Sequence, residues 1–143
     1  MPYEPIYFTR QELSCPRTGE YYHDPEFLWR LDDLRSAMGA PIIVNSAHRS
    51  AEHNAAVGGA PLSQHKKMAV DIRLAGHDPV KLRSTAISCG FLGIGMARTF
   101  LHLDLRRPIN GVRFPTDRLT QWFYGRAAED YWTKELGVNP WKS

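Results

Sequence analysis

Asn45 to Arg73 reads NSAHRSAEHNAAVGGAPLSQHKKMAVDIR: three histidines, a Gly-Gly pair and an aspartate lie between two apolar, strand-like runs. A second piece, Phe100-Leu101-His102-Leu103-Asp104, sets a histidine and an aspartate two residues apart. Those residue types suit a divalent metal. Zinc takes about four ligands in a tetrahedron, drawn from His, Cys and carboxylate, and a catalytic site keeps one position for water. His65 and Asp71 can supply two ligands from a loop and the strand it enters. His102 can supply a third from a neighbouring strand. Two features sharpen this reading. His102 and Asp104 put two polar groups on one face of an otherwise apolar strand. Ser63-Gln64-His65 follows a glycine-rich turn, where backbone freedom lets a side chain be aimed. Spacing alone leaves a plainer reading open, in which each histidine is simply an exposed or internally hydrogen-bonded polar residue.

Elements that could position these groups are legible on either side. Pro2, Pro5 and Pro16 break up the first 24 residues, with Ile6-Tyr7-Phe8 as a short edge strand or an anchor laid on the core. Thr9 caps one helical turn to Leu13. Asp24-Pro25-Glu26 opens a longer helix, with the cap, the first helical residue and an acid at the positive end of the dipole. Phe27, Leu28, Leu31, Leu34 and Met38 form its apolar face, and Gly39 ends it. Pro41 to Val44 reads as a buried strand, and Ser50 to Val57 as a helix stopped by Gly58-Gly59. From Met68 to Leu74 the chain alternates, with Met68, Val70 and Ile72 against Ala69, Asp71 and Arg73. Asp78-Pro79 begins the next helix, with Val80, Leu82, Ala86 and Ile87 inward and Gly90 as its stop. Leu92–Met96 and Phe100–Leu105 read as paired strands turning near Ala97–Thr99. Pro108 to Thr116 is loop. Thr120–Tyr124 and an outer helix over Ala127–Leu136 close the chain. The order predicts an α+β fold with a small, mainly antiparallel sheet flanked by helices.

The motifs, taken in order, resemble the active site of the zinc D-alanyl-D-alanine carboxypeptidase family. The closest branch is the small catalytic domain of phage lysins, D,D-carboxypeptidases and murein endopeptidases. Its members carry Ser-x-x-Arg-Ser after a strand, a short helix, Gly-Gly, then Ser-x-His-x-x-Gly-x-Ala-x-Asp, and a later strand with His-x-Asp. Here these stand as Ser46-Ala47-His48-Arg49-Ser50, Gly58-Gly59, Ser63-Gln64-His65, Ala69-Val70-Asp71 and His102-Leu103-Asp104. The resemblance runs from about Phe8 to Trp122. It implies a hedgehog-like D-Ala-D-Ala-peptidase fold over a single domain, 1–143, with His65, Asp71 and His102 holding Zn2+. It implies hydrolysis of a peptide bond by a zinc-activated water. Arg49 resembles the arginine that holds a substrate carboxylate or carbonyl, with a structural pairing to Glu52 or a backbone carbonyl as the alternative. Ser63 supports the metal loop, and His48 lines the cleft. Asp104 is either the general base or the group that orients a metal-bound histidine. In the family the base is often an acid three residues before the last histidine, and here that position is Thr99. The sequence departs from the pattern in one other respect: Asp71 follows His65 by six residues rather than seven, and Met68 stands near the place of the motif glycine.

Composition bounds the rest. The 143 residues are 43% hydrophobic and 11% aromatic, which is enough for one core. A net charge of +3 is too weak to require nucleic acid and suits an anionic polymer such as a cell wall. Lys66-Lys67 and Arg106-Arg107 read as solvated loop charges. Cys15 and Cys89 fit no C-x-x-C pattern and are expected as free thiols. His23, His53 and His77 carry no signal beyond surface polarity. Trp122 and Tyr124 either wall the cleft or pack in the core, with the core the more usual use. No secretory signal or membrane span is visible, so a monomer made in the cytoplasm is expected, acting on the wall in a phage-lysin setting. Its substrate would be peptidoglycan stem peptides or cross-links. The alternatives are a catalytically silent wall-binding or virion module of the same fold and, more distantly, a hedgehog-like metal-binding signalling domain.

Overall fold

The computed structural model describes residues 3–15, 18, 24–46, 69–106 and 118–141. The expected helix over Ser50–Val57, the Gly58-Gly59 turn and the 108–116 loop lie outside the described residues.

Helix α1 (Arg10–Leu13) is a single turn held by a reciprocal cap: Glu12 N–H donates to Thr9 Oγ1, and Thr9 N–H donates to Glu12 Oε1. Helix α2 (Pro25–Met38) starts on Asp24, whose Oδ1 accepts from the backbone N–H groups of Glu26 and Phe27. It ends at Gly39, where φ is 68°, a left-handed conformation that a β-carbon disfavours. Helix α3 (Pro79–Ser88) repeats the Asp-Pro start, with Asp78 accepting from Val80 and Lys81. Helix α4 (Arg126–Asp130) runs on into wider π-type turns over Tyr131–Glu135.

The sheet has five strands in the order β1-β2-β4-β3-β5. They are β1 (Val44–Ser46), β2 (Ala69–Arg73), β3 (Gly93–Met96), β4 (Phe100–Asp104) and β5 (Thr120–Phe123). All pairings are antiparallel except β3 with β5, which is parallel. The expected α+β class with a mainly antiparallel sheet is therefore what the chain adopts. Strand alternation divides the sheet into two faces. Val70, Ile72, Ile94, Met96, Leu101 and Leu103 are fully buried on one face and join Leu31, Leu34, Leu82 and Phe91 in the core. Phe27 and Phe91 meet edge to face at 5.7 Å inside it. Trp132 caps the core from the C-terminal segment, its indole N–H donating to Ala97 O at 2.8 Å.

Three local expectations shift. The first strand begins at Val44 instead of Pro41, and Ile43 is 48% exposed, because the pairing to β2 starts only at Val44–Ile72. Ile6-Tyr7-Phe8 is an anchor and not a strand: the backbone N–H groups of Ile6 and Tyr7 both donate to the Asp32 carboxylate, which also accepts from Tyr3 Oη. Val80 faces outward from the first turn of α3. Cys15 and Cys89 are free thiols, as expected. Among the described residues no helix is long and apolar enough to cross a membrane.

Candidate metal centre

The second face of the sheet carries the polar residues. Register places Asp71 of β2 directly opposite His102 of β4, and Gly95 of β3 on the other side of His102. Asp104 lies between Ala69 and Gly93 in the same way. The cross-strand neighbours of both polar residues are therefore small or acidic.

His102 is buried, and both ring nitrogens face carboxylates. Nδ1 lies 3.0 Å from Asp71 Oδ1, and Nε2 lies 2.6 Å from Asp104 Oδ2. Asp104 is fully buried and also accepts from Arg106: the backbone N–H at 2.8 Å and Nε at 2.6 Å reach Oδ1, and Nη2 reaches Oδ2. A carboxylate gripped by a guanidinium fork stays ionised and only accepts. Burial works against its charge, yet the bonds from Arg106 and His102 win and hold the Asp104 pKa at about 2. For His102 burial again opposes charge, and the hydrogen bonds to Asp104 and Asp71 more than offset it, leaving its pKa above the ordinary histidine value. With Asp104 as pure acceptor, Nε2 carries a proton, and Nδ1 is the nitrogen turned toward Asp71.

The two carboxylates cannot serve one ion together, because they occupy opposite ends of the imidazole. Accordingly, among the described residues no three His, Cys, Asp or Glu side chains are grouped to hold a metal. Asp71 and His102 do fit as a pair. Donors at roughly 2.0–2.1 Å from a tetrahedral zinc stand about 3.3 Å apart, close to the 3.0 Å between Asp71 Oδ1 and His102 Nδ1. The carboxylate on the far nitrogen is the usual companion of a metal-bound histidine. His65, the expected third ligand, and Arg49, Ser63 and His48 lie outside the described residues. Thr99 is exposed in the turn between β3 and β4.

Arg106, Gly93 and Gly95 were not anticipated. Arg106 was expected as a solvated loop charge. It is instead packed against Asp104, with its guanidinium 4.8 Å from the centre of the Trp122 ring. Of the two uses open to Trp122, cleft wall or core, the structure favours the first: it sits on the face of His102, 5.2 Å from that ring, with Tyr124 beside it at 6.1 Å. Gly93 and Gly95 make the room. A β-carbon at Gly93 would lie 2.1 Å from Asp104 Oδ1, and one at Gly95 would lie 2.8 Å from the Trp122 ring. The signal was present in the alternation of positions 102 and 104, and of 93 and 95, since every second residue of a strand shares a face.

A family model described as Peptidase M15 matches residues 6–104, about two thirds of the chain. No curated protein matches. The matched stretch ends on Asp104, and so includes both members of the His102–Asp71 pair and the carboxylate behind them. With its sheet, its motif order and this match in agreement, the chain belongs to the peptidase M15 family, the D-Ala-D-Ala carboxypeptidase-like peptidases.

Proposed function

We propose that this protein is a zinc-dependent peptidase that hydrolyses D-Ala-type bonds in peptidoglycan stem peptides or cross-links. The observation that carries the proposal is the Asp71–His102 pair, at ligand spacing across β2 and β4, with Asp104 behind the ring. Asp71 and His102 would hold the metal together with His65. The chemistry that zinc supplies in such a site is polarisation of a peptide carbonyl and activation of water near neutral pH.

The residues of the chain divide the remaining work. Asp104 keeps the proton of His102 on Nε2, which would leave Nδ1 free of a proton to serve as the metal-binding nitrogen. This favours the orienting role over the base role for Asp104, whose two oxygens are occupied by Arg106 and His102. Trp122 covers one face of the imidazole and limits the water that reaches it. Arg49 would hold a substrate carboxylate or carbonyl, with Ser63 supporting the metal loop and His48 lining the cleft.

A second reading is a silent wall-binding or virion module of the same fold. Thr99 favours it, because it stands where relatives often have the basic carboxylate. Two measurements on purified protein separate the readings. Zinc content near one per chain, with release of D-Ala or of cross-linked muropeptides from purified wall, supports the peptidase. Zinc without release supports the silent module, and absence of zinc removes the metal centre.

A further inference from the structure

We infer that Arg106 is a positioning residue for His102, acting through Asp104 on one side of the ring and through Trp122 on the other. The inference rests on the reading of His102 as a metal ligand. Arg106 is in contact with both supports. Its guanidinium and backbone N–H grip both oxygens of Asp104, and the same guanidinium lies over Trp122 at 4.8 Å. Asp104 then fixes an edge of His102 at 2.6 Å, and Trp122 covers its face at 5.2 Å. The four side chains form a closed frame. Its two supports occupy space left by the missing β-carbons of Gly93 and Gly95.

The backbone at Arg106 points the same way. Its φ is 55°, the left-handed region, and it is the only non-glycine residue there among the described residues. A side chain is disfavoured in that conformation, and glycine is not. Local backbone preference alone would therefore favour glycine at position 106. An arginine stands there against that preference, and it grips both supports of His102. An outlier of this kind beside a candidate site is a sign of function. The fork geometry matters as much as the charge, since only a planar guanidinium can hold both carboxylate oxygens and stack on an indole at once.

Arg106→Gly removes the clamp while relaxing the backbone. Three readouts apply: thermal melting, the His102 Nε2 proton in the NMR spectrum of the metal-free protein, and zinc affinity by competition with a chelating dye. The expected result is a Nε2 proton lost to exchange and zinc affinity about tenfold to hundredfold weaker, with a lower melting transition because the buried Asp104 carboxylate loses its partner. Millimolar methylguanidinium should restore the proton signal. Arg106→Lys, which keeps charge without the fork, should lose the signal as well. An unchanged Nε2 proton in both variants would overturn the inference, whether or not zinc binds, because that readout needs no metal. If the parent binds no zinc but the Nε2 proton behaves as expected, the frame stands and the metal reading falls.

Discussion

Asp71 and Asp104 are both within 3.0 Å of His102, yet their surroundings assign them different work. Asp71 is partly open to solvent and lies opposite the histidine across the β2–β4 ladder. Asp104 is sealed and saturated by Arg106. Replacing either proposed ligand, Asp71→Ala or His102→Ala, should abolish stoichiometric zinc, and so should His65→Ala. Metal analysis after dialysis checks this, and full zinc in any one variant strikes that residue from the set. Asp104→Asn should behave differently. It leaves the ligands in place and weakens zinc binding tenfold to hundredfold, with activity returning as zinc is raised. Activity that stays lost at full zinc occupancy would instead put Asp104 in contact with the reacting water. The Asp71–His102 pair and Asp104 were readable from residue type and motif order. Arg106 was not, because a pair of arginines beside a proline looks like loop, and nothing local signals that the first one folds back on residue 104.

At the scale of elements, the two central strands work as a matched pair. β4 supplies the polar side chains, and β3 supplies the absence of side chains that accommodates them. Gly93→Ala should force Asp104 aside, since a β-carbon there would lie 2.1 Å from Asp104 Oδ1. We expect a loss of about 1–3 kcal/mol from overpacking together with weakened zinc binding, measured by denaturant unfolding and dye competition. A variant that keeps both would mean that the carboxylate has a second stable position. Helix boundaries were the most legible feature of the sequence: both Asp-Pro starts and the Gly39 stop are local chemistry, and the structure has them where expected. Asp24→Ala should cost about 1 kcal/mol by removing the cap of α2, seen as a Tm a few degrees lower with no change in zinc content. The register of β1 was less legible. Pro41-Ile42-Ile43-Val44 has the composition of a strand, but the ladder begins where β2 meets it, and composition does not encode that meeting point.

At the scale of the whole molecule, the N-terminal arm is tied to α2 through one carboxylate. Tyr3 Oη donates to Asp32 Oδ2 at 2.5 Å, and the hydrogen bond to Asp32 is the largest cause raising the Tyr3 pKa to about 12, from an ordinary 10.0. A raised folded-state pKa means that the neutral phenol is the stabilising form. Its contribution is complete below pH 10 and fades as pH rises toward 12. Tyr3→Phe should therefore lower the Tm at pH 8–9, and the gap to the parent should close as pH approaches 12; a gap independent of pH would assign the effect to packing. The sheet also reaches past the stretch matched to the family. β5 lies beyond residue 104, pairs parallel to β3, and delivers Trp122 to the ring of His102. Its place in the sheet could not be read from its sequence, because a four-residue strand carries no record of which edge it joins. The glycine at position 93 has a consequence for how this protein can change over generations. Alanine at 93 and aspartate at 104 compete for one volume, so a lineage that acquires the first should surrender the second, and the two sites should drift together as a linked pair even though 11 positions separate them.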